Sequence, residues 1–439
     1  MATATTVPGR PGPGAAALPA RRQVAAVAVG NALEFYDFVT YSFFAAQIGR
    51  AFFPSADPSI GLLMSLATFG VGFLMRPVGA LVIGRMGDRL GRKPAMIVSF
   101  ALMGVGLLGV GLTPSYASVG VAAPVMVVLF RMLQGFALGG EVGPSTSFLV
   151  EIAPPEKRGL YVSLQYASAD AAIVVAGIVG YVLSSALSLE ALDAWGWRAA
   201  LLLGVAIVPV GLLLRASLTE TVDLPDEGGS SQAAKLGAYL PLAGLGLVLL
   251  AGGTVASYGM DYLNTYAQTT LGMRVTTAFL STLVMGLSLV ATDLVSGRLS
   301  DHFGRKPVMM TAACAFVLSI IPCFLAMSTY RSPAVLLAAT AWMSVLAALS
   351  SVPVLVAVTE SLPRHIRSGS LAIIYAVAIS IFGGSTQFVV AWLIHLTGDP
   401  MAPAWYITGF AVFGLFAMLW LPETAPSQLM RSRSPPLKA

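Results

Sequence analysis

Charge is the first thing this sequence lacks. Only 10% of its 439 residues are Asp, Glu, Lys or Arg, against about 25% in a typical soluble domain. A chain so poor in charge cannot cover itself with a water-facing surface. That excludes an ordinary soluble enzyme and a disordered polypeptide. Cysteine is nearly absent too. Cys314 and Cys323 are the two present, and nine helical positions set them roughly 13 Å apart, beyond the reach of a disulfide. The three histidines, His302, His365 and His395, lie in or near loops and form no metal cluster. No Gly-x-x-x-x-Gly-Lys phosphate loop occurs, so nothing supports ATP as the energy source. Gly104-Val-Gly106-Leu-Leu-Gly109 matches a dinucleotide-type glycine pattern. It sits inside an apolar run with no preceding strand, the wrong setting for such a site. No cofactor or resident metal is expected.

What remains is hydrophobic: 56% apolar residues and a mean hydropathy of +0.82. The 45 Gly and 27 Pro fit this picture, since both are commoner in membrane helices than in soluble ones. A bilayer-crossing helix needs about 20 apolar residues. Twelve such runs are legible, at 23–53, 60–84, 95–113, 123–151, 160–187, 197–215, 239–270, 276–297, 307–328, 333–359, 369–396 and 402–421. The expected fold is an all-α membrane protein of twelve transmembrane helices. The net charge of +5 does not point to nucleic acid, because the basic residues lie in loops. They lie almost entirely on one side. Of the loop and tail Lys and Arg, only Arg50, Arg198, Arg274 and Arg331 fall on the other face. The positive-inside rule therefore places both termini in the cytoplasm.

The chain also repeats itself. Gly84-Arg-Met-Gly-Asp88-Arg-Leu-Gly91-Arg92-Lys93-Pro94 follows the second span, and Gly297-Arg-Leu-Ser-Asp301-His-Phe-Gly304-Arg305-Lys306-Pro307 follows the eighth. Glu151 to Gly159 after span four matches Glu360 to Gly369 after span ten, and Leu218-Thr-Glu220-Thr221 matches Leu421-Pro-Glu423-Thr424. Three motifs in one order at nearly one offset imply two six-helix halves of parallel topology, as in transporters that rock about a midplane site. The expected divisions are a tail (1–20), a first bundle (21–215), a linker (216–238), a second bundle (239–422) and a closing tail (423–439).

The doubled Gly-x-x-x-Asp-x-x-Gly-Arg-Lys loop resembles the signature of the major facilitator superfamily. Gly30-Asn31-Ala-Leu-Glu34-Phe-Tyr36-Asp37-Phe38, Arg76-Pro77-x-Gly79-Ala80, Arg131-x-x-Gln134-Gly135-x-x-x-Gly139-Gly140-Glu141 and Trp195-Gly-Trp197-Arg198 resemble the metabolite–proton symporter family within it. The stretches around Tyr258 to Tyr266 and Gly383 to Asp399 resemble the citrate and tricarballylate symporters of bacterial inner membranes. The resemblance implies a secondary transporter, and implies that Asp88 with Arg92 and Asp301 with Arg305 hold a gate.

An ionisable side chain at mid-membrane is expensive and is a functional candidate by default. Asn31, Glu34, Asp37 and Tyr41 form one stripe of span one, and two carboxylates so placed suit proton coupling. A structural ion pair with Arg131 is the alternative. Arg131 and Gln134 on span four, with Glu141 on the same face as Gln134, are further candidates. Arg131 offers a planar fork that matches a carboxylate, or it serves only as counter-ion to Asp37 or Glu34. Asp170 and Gln165 on span five are candidate proton carrier and hydrogen-bond donor. Gln387 on span eleven is a candidate substrate contact, and Arg76 a gating or pairing residue. Asp261, late in span seven, is expected at the outer vestibule. The charged machinery is thus expected in the first half. Gly135 and Gly139 are expected to serve helix packing.

The expected function is proton-coupled symport of a di- or tricarboxylate such as citrate across the inner membrane. The partners would be an organic anion, H+ and lipid, in a monomer. Alternatives are 2-oxoglutarate, shikimate, or a zwitterionic osmolyte such as proline or betaine. No enzyme activity is expected.

Overall fold

The computed structural model describes residues 20–90, 92–140, 146, 149–216, 240–362 and 367–428. The expected linker 216–238, apart from Ala216, lies outside the described residues, as do 1–19 of the first tail and 429–439 of the last. Among the described residues the main helices group into twelve units joined by short helical turns, and no strand occurs. They are α1 (Ala20–Phe43, continued by Ala45–Phe52), α2 (Pro58–Leu74, continued by Arg76–Leu90), α3 (Arg92–Leu112), α4 (Ala122–Ala137), α5 (Arg158–Ala186) and α6 (Trp197–Ala216). The second set is α7 (Leu240–Thr269), α8 (Val275–Phe303), α9 (Arg305–Tyr330), α10 (Pro333–Ser361), α11 (Arg367–Ala378, continued to Gly384–Thr397) and α12 (Ala402–Trp420). Among the described residues, eight helical stretches are individually long and apolar enough to cross a bilayer. Ile97–Leu112 and Ala122–Ala137 are shorter apolar helices. All-helical spanning follows from chemistry, because hydrocarbon offers backbone N–H and C=O groups no partner and a helix satisfies them internally.

Glycines set how closely these helices approach. A Cβ on Gly135 of α4 would collide with the Gly72 carbonyl of α2, and one on Gly139 would collide with the Arg76 carbonyl. The packing role expected for both is what the geometry shows. The two halves meet along two seams built the same way. In one, Gly70 of α2 faces Gly384 of α11, where a Cβ on Gly384 would sit 3.0 Å from the Gly70 carbonyl. In the other, α5 runs antiparallel to α8. Gly177 lies against the Leu283 backbone and Gly286 against the Val174 backbone, each 2.8 Å from an added Cβ.

The α2–α11 seam carries a sequence-dictated break. Pro77 has no N–H to give the carbonyl four residues earlier, and α2 is interrupted at Met75. The freed carbonyl of Phe73 accepts a hydrogen bond from Ser380 Oγ at 2.8 Å. Ser380 lies in the π-helical turn 379–383 of α11. A donor from the second half thus satisfies a defect in the first.

Candidate functional site

At the end carrying the repeated loops, the two halves are joined by charge. The first N–H groups of α5 have no partner within their own helix. Gly159 and Leu160 donate instead to Asp301 Oδ1 and Oδ2, at 2.9 and 3.0 Å. A carboxylate of the second half therefore caps a helix of the first. The same Asp301 accepts from Arg305 Nη1 at 2.6 Å. Arg305 is fully buried and also reaches Glu360 Oε2 at 3.4 Å. Glu360 faces Arg158 of the first half at 3.6 Å and accepts from Thr424 at 2.6 Å. Glu423 accepts the N–H groups of Arg305 and Lys306, both at 2.9 Å, and caps α9.

The second-half copies of all three repeated motifs thus converge here. Glu360, Glu423 and Arg158 belong to motifs that the repeat exposes, but no role was read for them from sequence. The last tail opens with docked residues, since Ser427 donates to the Asp301 carbonyl and Gln428 to that of Phe303. The side chains of Asp88 and Arg92 lie outside the described residues.

At the opposite end the contacts between halves are chiefly neutral. Gln47 donates to Gln268 at 3.2 Å. Ser42 and Gln387 exchange hydrogen bonds at 2.7 and 2.9 Å, both buried. Gln387 thus joins the halves and is not among the residues lining the central cavity. Nearby, Asp57 caps α2 by accepting from Ser59, a bond that holds its carboxyl below the usual carboxylate range. His395 of α11 lies 3.9 Å from it.

Between the two ends lies a cavity of about 170 Å³. First-half residues lining it include Asn31, Phe38, Gln165 and Asp170. Tyr258, Asp261, Asp293 and Tyr375 line it from the second half. Asn31 is held by α5, donating to the Gln165 carbonyl at 3.0 Å and to Ser168 at 2.9 Å. The Gln165 amide oxygen accepts from Thr146 at 2.7 Å.

Two expectations are corrected here. Asp261 is not at a wet vestibule. It is 9% exposed and close enough to Asp170 for electrostatic interaction, because it ends the stretch 249–261 by which the middle of α7 lines the cavity. The ionisable machinery is not confined to the first half either. Asp293 of α8 was missed, and its carboxyl lies within hydrogen-bonding reach of Asp170. A signal was there to read: an aspartate in the apolar run Leu289-Val-Ala-Thr-Asp293-Leu-Val.

Behind the cavity wall sit the two membrane arginines, which the cavity lining does not include. Arg131 is 2% exposed, with its guanidinium 4.3 Å from the Tyr41 ring and 5.7 Å from that of Phe38. It donates to Gln134 Oε1 at 2.7 Å, and Gln134 Nε2 donates to Asp37 Oδ1 at 3.4 Å. An amide therefore separates the cation from the acid. Arg131 Nε and Asp37 Oδ2 have no hydrogen-bond partner among the described residues. Arg76 lies over Phe73 and Phe38, at 4.5 and 5.1 Å. Tyr258 packs edge-on against Phe38 and Phe73. Phe38 and Tyr258 thus stand between the cavity and both cations. Tyr41 donates to the Ser65 carbonyl at 3.3 Å. The Glu34 side chain and Glu141 lie outside the described residues.

Comparison with known proteins places this architecture. Residues 27–378 match the family described as Major Facilitator Superfamily. A citrate–proton symporter of Salmonella typhi is 34% identical over 400 residues, covering 90% of this chain and 92% of that protein. A proline/betaine transporter of Salmonella typhimurium is 31% identical, covering 92% and 84%. The xylose transporter of E. coli, solved in a partially occluded inward-open conformation, superposes with a TM-score of 0.73 at 17% identity, covering 92% and 98%.

Proposed function

The chain belongs to the major facilitator superfamily, and on that footing we propose that it is a proton-coupled symporter of citrate or a similar di- or tricarboxylate. One observation carries the reading: the arrangement of Arg131, Gln134 and Asp37. A buried guanidinium and a buried carboxylate are bridged by an amide, each with an atom left unpaired. Unpaired buried polar atoms are costly, so such a site favours any partner that completes it. The cation is completed by a substrate carboxylate, which the planar fork accepts at two points. The acid is completed by a proton. Phe38 and Tyr258 cover Arg131 from the cavity side, so substrate reaches the cation only after those rings move. Rocking of one half against the other supplies that movement, with Asp301, held by Arg305, on the N–H groups of Gly159 and Leu160 as the gate at one end and Gln47, Gln268, Ser42 and Gln387 as the contact at the other. The citrate–proton symporter relative supports the substrate class.

The distribution of Lys and Arg supports both termini lying in the cytoplasm of a bacterium, with the charged gate on that side. A monomer suffices, since the cavity is formed by one chain.

A second reading has its own observation. Three carboxylates line the cavity and no Lys or Arg does among the described residues, a setting suited to the positive end of a zwitterion. The proline/betaine relative supports it. Counterflow in proteoliposomes separates the two. Purified protein loaded with unlabelled citrate should draw in labelled citrate. If betaine drives exchange and citrate does not, the osmolyte reading replaces the first.

A further inference from the structure

The cavity holds a polar group that the Arg131 arrangement does not use. Asp293 is 1% exposed, and among the described residues no donor reaches its Oδ2. Its carboxyl nevertheless lies within hydrogen-bonding reach of another, that of Asp170. Two ionised carboxylates have only acceptors to offer each other, so such a contact requires a hydrogen between them. The two acids come from opposite halves. They sit on the α5–α8 seam, where Gly177 and Gly286 leave the backbones no slack.

We propose that Asp170 and Asp293 form a second proton-binding site, in which one shared proton ties the two bundles together across the α5–α8 seam. This rests on the proton-symport reading and deepens it. With the proton bound, the pair closes as a neutral–anionic hydrogen bond. When the proton leaves to water, two like charges face each other in a buried seam and push α5 from α8. Binding a proton and holding the halves together thereby become one event, which ties the transport cycle to pH.

The surroundings leave the pair as the responsive element. Asp261 of α7 faces Asp170 across the cavity as a third buried carboxyl, close enough for electrostatic interaction. Tyr166 of α5 and Tyr375 of α11 face the pair as neutral hydroxyls. Tyr258 of α7 lies beyond Asp261. Arg76 of α2 acts on Tyr258 and Tyr375, behind the Phe38 and Phe73 rings. From α1, which packs on α5, Asp37 is turned to Gln134, and the Glu34 side chain is outside the described residues. Helices α9 and α10 add no ionisable group to the cavity lining among the described residues.

The test uses the full chain in nanodiscs with Cys314→Ser and Cys323→Ser. Nitroxides at Glu156→Cys and Thr311→Cys, exposed positions on opposite halves, report the separation by pulsed dipolar spectroscopy. No substrate is added. In the parent, each one-unit rise in pH across the pair's titration should raise the ratio of longer- to shorter-distance populations up to about tenfold, the change one pH unit produces on a single-proton equilibrium. Asp293→Asn and Asp170→Asn each imitate the protonated partner and should hold the short distance at both extremes. Each variant is first shown to be monodisperse, and the two together guard against one failing to fold. A parent without pH response, or Asn variants that respond like the parent, would overturn the proposal. So would sodium restoring the short distance at alkaline pH, which would make the bound ion Na+. Because substrate is absent, failure of citrate counterflow alongside a preserved pH response removes the substrate reading and leaves this site standing.

Discussion

Replacing Asp301 by Ala removes the bond between halves that the structure describes most completely. Only contacts made in the closed state and lost on opening can shift that equilibrium. The ion pair with Arg305, at 2.6 Å, joins residues four apart on the same half, so it survives opening and does not count. What opening breaks is the pair of bonds from Gly159 and Leu160 N–H to the carboxylate. Hydrogen bonds to a charged group contribute about 1.5–3 kcal/mol each. Taking the low end for both gives about 3 kcal/mol, or on the order of a 100-fold rise in the open population.

The assay is alkylation of a single cysteine at Ser163 by a water-soluble maleimide, in the Cys314→Ser, Cys323→Ser background. Ser163 is fully buried, one turn into α5 and against Gly297 of α8, so its modification rate follows the fraction of molecules open at that end. The rate should rise about 100-fold in Asp301→Ala and by less than about fivefold in Arg158→Ala. The Arg158 contact with Glu360, at 3.6 Å, is too long for a hydrogen bond, and Glu360 keeps Arg305 and Thr424 when Arg158 is removed, so its loss is worth about 1 kcal/mol or less. Equal rates in Asp301→Ala and its parent would refute the reasoning. An Arg158→Ala effect as large as that of Asp301→Ala would also refute it.

Arg131→Lys keeps the charge and loses both the fork and the flat face over Tyr41, so calorimetric citrate affinity should fall about 5- to 150-fold. Unchanged affinity in a folded variant would remove Arg131 as the anion anchor. Asp37→Asn should abolish citrate accumulation driven by a pH gradient while leaving counterflow measurable. Accumulation like the parent's would place coupling elsewhere. Ser380→Ala takes the side-chain donor from the Phe73 carbonyl, whose helical i+4 partner Pro77 cannot supply. Thermal unfolding in detergent should report a loss of about 1–3 kcal/mol, and an unchanged melting temperature would mean the carbonyl finds another donor.

The sequence by itself determined the class of molecule. Apolar runs of bilayer length, basic residues crowded on one set of loops, and three motifs repeated at nearly one offset require little beyond the cost of burying charge and backbone in hydrocarbon. They were enough for the helical spans and the two parallel halves, while the family came from the resemblance of the repeated loop to a known signature. The Asp301 to Arg305 motif was legible for the same reason: the two residues are local in sequence, and a carboxylate at a helix end has few useful things to do. What it caps was not legible, because the N–H groups of Gly159 and Leu160 belong to the other half.

The rotation of each helix about its own axis, which decides what an isolated polar residue faces, was settled only by packing. Glycines at the α5–α8 and α2–α11 seams fix those rotations, since one added Cβ would force the backbones apart. That is why Asp293, an unremarked aspartate in an apolar run, meets Asp170. On α11 it is also why Gln387 is bonded to Ser42 across the halves, while Arg131 is set by the close approach of Gly135 of α4 to Gly72 of α2. Helical periodicity places residues on a common face, but a face has no meaning until a neighbouring helix is laid against it.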